Sequence, residues 1–203
     1  MSKVLTSVAL AAAFAFTNAH AYNTFSGIDP NGAEVALAST PNSTAAETSF
    51  KGNLQGVGTE TFETQSGSAP LVLNFGVAGT ATLLGGGSVA SVTPGSTNGF
   101  GRYSVPGGSR YWEVEAGAGN TFEIDFSQEI AAFGFYGIDI GDFSGTLQIQ
   151  LFDDTNTLIN TVDVPSAASN VANASVLYFG LIAQNDAELF KSIKFVTTSG
   201  SEI

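Results

Sequence analysis

Apolar and polar residues alternate along most of the chain, in short runs separated by glycine, proline and asparagine. A period of two predicts β-strands with one buried face, and the runs recur at roughly ten-residue intervals, a spacing typical of β-sandwiches. The clearest runs are residues 71–75, 80–84, 110–115, 121–126, 147–151, 158–164 and 190–196; residues 89–92 form a weak one, and residues 176–182 are apolar and aromatic throughout. Weaker alternation predicts short strands at 34–38 and 58–63, and the prolines, glycines and asparagines predict turns at 28–32 and 153–156.

The segment from Ile130 to Gly145 departs from this alternation. Its first half is almost entirely apolar and aromatic, and Gly134 and Gly137 disfavour a helix there. A short apolar run closed by glycines predicts a strand buried on both faces, and a second such run surrounds Leu177. We therefore predict an all-β fold: an antiparallel two-sheet sandwich of the jelly-roll kind, with these two strands central.

Two details of this prediction concern single elements. One short helix is expected near residues 44–54, where Thr44 and Glu47 have the spacing of a capping box. Its apolar positions repeat every four residues: Ala46, Phe50 and Leu54. In the last strand, Phe190, Ile193 and Phe195 can share one face only if the strand carries a bulge.

The N-terminus has the pattern of a secretory signal peptide over residues 1–21, which would form a signal helix. Lys3 precedes an apolar stretch that is too short to span a bilayer comfortably, and the Ala19-His20-Ala21 triplet predicts cleavage after Ala21. A membrane anchor is the alternative. We expect residues 22–203 to be one exported domain, extracellular or on the surface of a bacterium, without a membrane span.

Composition limits the chemistry of this domain. His20 is the only histidine, so cleavage after Ala21 would leave the domain without the histidine that Ser-His-Asp catalysis and histidine-metal sites require. Cysteine is absent from the whole sequence, which excludes Cys-His catalysis and thiolate-metal sites. The net charge of -12 disfavours nucleic acid and anionic lipid as partners. It favours hard cations, whose ligands are carboxylate oxygens.

Four stretches together carry a family resemblance: YWEVEAG, FEIDFSQEIAAFGFYGIDIGDFSGTLQIQL, ASVLYFGLIAQ and FKSIKFVTTSG. In this order they resemble the ectodomains of bacterial exported proteins that carry a PEP-CTERM sorting tail. The resemblance implies a jelly-roll sandwich associated with exopolysaccharide or biofilm matrix. Such proteins continue with a last strand and a sorting tail, neither of which is present here, so the resemblance implies a domain that lacks its last strand. An unpaired edge near Phe195 would then favour self-association.

Carboxylates are the candidate metal ligands. Asp139 and Asp142 lie in a glycine-rich loop after the apolar strand, where oxygen ligands could surround Ca²⁺; simple turn residues are the alternative. Glu60 and Glu63 would point to opposite faces of a strand, as cation ligands or as solvated carboxylates. The resemblance implies a structural calcium ion bound by an early glutamate, which Glu60 or Glu63 matches.

Aromatic residues are the candidate glycan contacts. Trp112, Tyr111 and Tyr136, with Tyr103, could stack on sugar rings, although the alternation around Trp112 also fits a core residue. Glu113 and Glu115 share one strand face at about 7 Å, a separation that carboxylate pairs of glycan hydrolases can have. Asp153 and Asp154 fit a hairpin turn.

The sequence therefore predicts a non-enzymatic surface module, structural or adhesive, associated with extracellular matrix or exopolysaccharide. The alternatives are a carboxylate-dependent glycan hydrolase of sandwich fold and a purely structural scaffold.

Overall fold

The computed structural model describes residues 21–105, 107–114, 122–141, 145–167 and 173–198. These residues form one α-helix, α1 (Pro41–Lys51), and eleven strands whose pairings are all antiparallel. The strands are β1 (Asn23–Asp29), β2 (Leu71–Asn74), β3 (Thr80–Leu84), β4 (Ser88–Ser91), β5 (Arg110–Glu113), β6 (Phe122–Ile130), β7 (Ala132–Ile138), β8 (Leu147–Phe152), β9 (Leu158–Asp163), β10 (Val176–Ile182) and β11 (Phe190–Thr197). The predicted all-β sandwich is confirmed. Residues 1–20, and with them nearly all of the predicted signal segment, lie outside the described residues.

The sandwich is asymmetric. One sheet has six strands in the order β2-β3-β6-β11-β8-β9, the other has three in the order β1-β10-β7, and β4 and β5 form a separate two-stranded ribbon. Strand β10 is the central strand of the smaller sheet, and six of its seven residues are buried. Because three strands cannot cover six, part of the inner face of the larger sheet is left without a facing strand from the smaller sheet.

Phenylalanine rings join the two sheets. From β7, Phe135 packs edge-on against Phe195 of β11 at a centroid distance of 5.4 Å, and Phe133 packs against Phe126 of β6 at 6.1 Å. Phe195 and Phe126 lie in the fully buried core of the larger sheet. The apolar band around residue 135 therefore lies between the sheets, and it places β7 over β6 and β11.

Helix α1 covers the outer face of the smaller sheet. Ala46 and Phe50 are buried against Tyr178, and Leu54 packs on the same cluster beyond the helix end, so the predicted apolar face is confirmed. The Phe50 ring lies over the cross-strand pair Gly134 and Gly180. A Cβ atom at Gly180 would come within 2.6 Å of the Phe50 ring, so the two glycines make the depression that receives it.

The helix begins at Pro41 and not at the predicted Thr44. Proline is favoured at the first helical position because its fixed φ angle fits the helix and its missing N–H would have no partner there. The predicted capping box is wrong, since Thr44 lies inside the helix. Glu47 pairs with Lys51 instead, at 2.6 Å.

A carboxylate from another element caps the helix. Asp29, at the end of β1, accepts hydrogen bonds from the N–H groups of Asn42 and Ser43 at 3.0 and 2.9 Å and from the Ser43 hydroxyl at 2.7 Å. Asp29 is buried, 5% exposed, and the bonds satisfy backbone donors that have no partner within the helix. The cap therefore also fixes the helix to the sheet.

Several local predictions are wrong. Residues 34–38 and 58–63 contain no strand. In the second of these segments Phe62 has a positive φ of 64°, which interrupts an extended strand. Strand β1 was not predicted, and it includes Ile28 and Asp29 from the predicted turn.

Strand β7 differs from the prediction in its surroundings. It lies at an edge of the three-stranded sheet, and six of its seven residues are only partly buried, so it is neither central nor buried on both faces. The expected unpaired edge near Phe195 is also wrong, since β11 pairs with β6 and β8. The predicted bulge in β11 is confirmed by a register shift between Phe190 and Ser192.

Candidate functional site

A cleft of about 800 Å³ opens where the smaller sheet ends. One wall is the edge strand β7, the floor is the uncovered part of the larger sheet, from β2, β3 and β6, and the opposite wall is β5 with the segment 54–62. Because β7 supplies every residue from Ala132 to Ile138 to the lining, the cleft runs along the whole strand, about 20 Å at the usual rise per residue.

Aromatic rings line the cleft. Trp112 of β5 stacks between Phe62 and Phe122 at centroid distances of 6.2 and 6.3 Å. On the β7 wall, Phe133 stacks on Phe135 at 5.8 Å. All but Phe122 are partly exposed, in contrast to the fully buried core beneath them. Concave surfaces lined by partly exposed aromatic residues are typical of binding sites.

The backbone of β7 presents hydrogen-bonding groups to the cleft. The carbonyl of Ala131 accepts a hydrogen bond from the N–H of residue 183, and the N–H of Asp139 donates to the carbonyl of residue 175, both on the β10 side. In antiparallel geometry the odd-numbered residues between them therefore also face β10. The even-numbered residues then direct their N–H and C=O groups to the free edge: Ala132, Gly134, Tyr136 and Ile138. Within the described part of the chain, no strand pairs with this edge.

One end of the cleft is charged. The Arg102 guanidinium lies 3.3 Å from Glu113 of β5 and 3.4 Å from Asp139, the residue after β7. Asn98 donates a further hydrogen bond to Glu113 at 3.3 Å. Asp139 has a positive φ of 62°, which ends the strand and turns its largely buried carboxylate toward Arg102. Arg102 thus ties the two walls of the cleft together.

The other end is apolar and open. Val77, in the 3-10 turn Gly76–Ala78 after β2, is 85% exposed, and Val57 on the facing segment is 45% exposed. Both line the cleft. Exposed aliphatic side chains at the mouth of an apolar cleft favour an apolar occupant.

The predicted aromatic residues do not form one platform. All four contribute to the lining of the cleft, but Trp112 lies within its stack of rings and Tyr111, its neighbour in β5, lies on the other face of the strand. Tyr136 faces helix α1, where its hydroxyl donates to Glu47 at 2.9 Å, and Tyr103 donates to the backbone of residue 174 at 3.1 Å. Burial, with the nearby Glu47 carboxylate, raises the pKa of Tyr136 well above its usual range.

The predicted calcium ligands lie apart and bind protein groups. Glu60 accepts from the N–H of Phe62 at 2.6 Å, and Glu63 accepts from the N–H groups of Ser109 and Arg110 at 2.7 and 2.8 Å. These bonds lower the pKa of Glu63, that from Arg110 most. Among the described residues there is no group of three or more acidic, histidine or cysteine side chains that could hold a metal ion.

The other two predicted calcium ligands are Asp139 and Asp142. Asp139 lies beside Arg102, at the charged end of the cleft, and Asp142 lies outside the described residues.

Ala21, the predicted cleavage position, donates its N–H to the buried Glu188 at 3.2 Å. Calcium binding and cleavage after Ala21 both stay predictions.

The carboxylate pairs also have structural partners. Glu113 is bound by Arg102 and Asn98, and Glu115 lies outside the described residues. Asp153 accepts hydrogen bonds from the N–H groups of Thr155 and Thr157 at 2.9 and 2.8 Å, which confirms its predicted role in the turn between β8 and β9. These bonds also lower the pKa of Asp153.

The sequence did not reveal the features that define the cleft. Arg102 lies in a segment without periodicity, and only the structure brings it to Glu113 and Asp139. The exposure of Val57 and Val77 has no signal in the sequence, because valine also occupies buried positions such as Val164 and Val176. The glycines at positions 134 and 137 were a usable signal for a strand with special surroundings, but they do not identify it as an edge.

Comparisons of the chain with models of protein families, with curated proteins and with solved structures gave no match. The family resemblance therefore stays a prediction. Among the described helices, none combines the length and the apolar character that crossing a membrane requires.

Proposed function

We propose that this chain is a non-enzymatic module of the bacterial cell exterior that attaches to extracellular matrix, exopolysaccharide included, by holding a matrix component in the cleft along β7. The observation that carries the proposal is the cleft itself: about 800 Å³, lined by partly exposed aromatic rings and open between two valines. Ligand sites usually have such volumes and linings.

The charged groups around the cleft support binding more than catalysis. Glycan hydrolysis by carboxylates requires two carboxyl groups facing each other across the substrate, one of them with a raised pKa. Glu113 is held by Arg102 and Asn98, and Glu60 accepts hydrogen bonds from Phe62 and Gln65. Both glutamates are therefore hydrogen-bonded to neighbouring protein groups in the described structure.

Trp112 provides a direct reporter, because it is the only tryptophan in the chain and it lines the cleft. Purified exopolysaccharide and total matrix extract from the producing bacterium are titrated against the exported domain, with Trp112 emission and reducing-sugar release measured together. We expect a saturable change in emission without sugar release. Sugar release would favour the hydrolase, and an unchanged emission with no retention on matrix would favour a scaffold.

A pair of valine substitutions controls for the surface. Val77→Asp places a charge at the mouth of the cleft, and Val72→Asp makes the same change at a position of β2 that is also exposed, 60% against 85%, and does not line it. Both side chains are mainly in water, so neither change should unfold the protein. We expect Val77→Asp to weaken retention on matrix at least tenfold and Val72→Asp to leave it unchanged; equal effects would contradict the proposal.

A further inference from the structure

We propose that the occupant of the cleft is an extended polypeptide segment of a partner protein, apolar at alternate residues and positively charged, that adds to β7 as a fourth strand of the smaller sheet. This inference rests on the proposed function and names the class of partner. The matrix component would accordingly be a protein.

The free edge of β7 is the first argument. Ala132, Gly134, Tyr136 and Ile138 direct their N–H and C=O groups into the cleft, and the described structure offers them no strand partner. Backbone groups in an apolar cleft are costly when they are not hydrogen-bonded. An added strand supplies donors and acceptors at the matching spacing, which neither a hydrocarbon chain nor a flat sugar platform does.

The shape of the cleft is the second argument. It follows all seven residues of β7, and it contains space between that edge and the walls formed by β5 and the segment 54–62. Side chains of an added strand alternate between the two faces of the sheet. One set would meet Trp112 and Phe135 in the cleft, and the other set would lie beside helix α1, near Glu47.

Charge is the third argument. The described lining residues include five carboxylates, those of Glu47, Glu60, Glu113, Glu129 and Asp139. The three basic lining residues pair with three of these carboxylates and with one backbone group: Lys51 with Glu47, Arg102 with Glu113 and Asp139, and Arg110 with the backbone of residue 65. The described lining therefore carries two more carboxylates than basic groups. With a chain charge of -12, this edge favours a basic segment and disfavours a second copy of the same chain.

The probe is a capped peptide two residues longer than β7, with two lysines at each end and valine alternating with threonine between them. Hydrogen exchange of the backbone amides is followed by NMR on the exported domain, together with Trp112 emission. We expect the peptide to slow exchange at Gly134, Tyr136 and Ile138 at least tenfold. Exchange at Phe133 and Phe135, which already face β10, should change little.

Modified peptides test strand addition without altering the protein. N-methylation at alternate residues removes either the N–H groups that face β7 or those that face away, so one methylated peptide should lose binding at least tenfold and the other should not. Replacement of the lysines by glutamate should also weaken binding. Equal binding of both methylated peptides would overturn the proposal, because it would show apolar contact without strand pairing.

Two proline variants provide the matched control on the protein. Ala132→Pro removes an N–H from the cleft edge, and Ser26→Pro removes one from the other free edge of the same sheet, on β1. Edge strands tolerate proline where the N–H is not paired within the sheet. We expect only Ala132→Pro to weaken peptide binding. If the natural protein is retained on matrix but the peptide does not protect its β7 amides, strand addition is overturned and the proposed function stands. If the natural protein shows neither retention nor protection, strand addition and the proposed function are both overturned.

Discussion

At the scale of single residues, a few carboxylates explain how irregular segments are held to the sheets. Asp29 and Glu63 each accept hydrogen bonds from backbone N–H groups of another segment of the chain. Two further carboxylates, those of Glu113 and Asp139, are joined by Arg102. From the sequence, Glu63 is a candidate metal ligand, whereas in the structure it binds backbone N–H groups. A single sequence does not show which backbone donors a carboxylate will meet, because those donors come from segments far along the chain.

Removal of the Asp29 charge is expected to destabilise the protein. Asp29→Asn weakens a buried cap that accepts three hydrogen bonds from Asn42 and Ser43, and caps of this kind contribute about 1–2 kcal/mol. The free energy of unfolding in urea measures the loss. Asp154→Asn, at an exposed turn position, is the control and should change little. Equal stability of the Asp29 variant and the natural protein would show that the cap is not needed.

Glu63 makes stability depend on pH. Its pKa is lowered in the folded protein by the N–H of Arg110 and by Ser109, so its contribution is present at neutral pH and is lost as the pH falls below the ordinary value of 4.5. Glu63→Gln should therefore lower the melting temperature at pH 7, and the difference from the natural protein should shrink on acidification.

The same variant separates a structural role from a metal site. If Glu63 acts through Ser109 and Arg110 alone, the decrease in melting temperature is the same with Ca²⁺ and with EDTA. A calcium-dependent decrease would support the calcium prediction instead, because a cation bound only by the folded form raises the melting temperature.

At the scale of elements, the periodic strands were predictable and the irregular ones were not. Strands β3, β8 and β10 have one face or both faces in the core, and their apolar pattern records this directly. Strand β1 alternates weakly because the backbone of helix α1 lies directly against Gly27, where a Cβ atom would come within 2.2 Å of the Asn42 carbonyl oxygen. A face covered this closely has no room for large apolar side chains. The apolar run of β7 predicts a central strand, although the strand lies at an edge, because the partly exposed wall of a cleft and a buried core require the same residue types.

The packing of α1 on β7 and β10 depends on the absence of side chains at two positions. We expect Gly180→Ala to destabilise the protein by about 1–3 kcal/mol, since its Cβ would lie 2.6 Å from the Phe50 ring. Phe50→Leu should recover part of this loss in the double variant, because the smaller side chain vacates the contact. Urea unfolding of the two single variants and the double variant measures the coupling, and strict additivity would contradict the described contact.

At the scale of the whole molecule, the proposed function depends on a mismatch between the two sheets. Six strands face three, and β2, β3 and part of β6 form the floor of a cleft beside a free edge. The sandwich and most of its strands could be predicted from alternation alone. The cleft could not, because the number of strands in each sheet and their order are set by pairings between distant segments.

Hydrogen exchange of the β7 amides in the protein without any ligand tests the central claim most directly. The account predicts an alternation: Phe133, Phe135 and Gly137 exchange slowly because they pair with β10, while Gly134, Tyr136 and Ile138 exchange quickly because they face the open cleft. Uniformly slow exchange along β7 would mean that its outer edge is already covered. Such a result would contradict both the cleft and the function proposed for it.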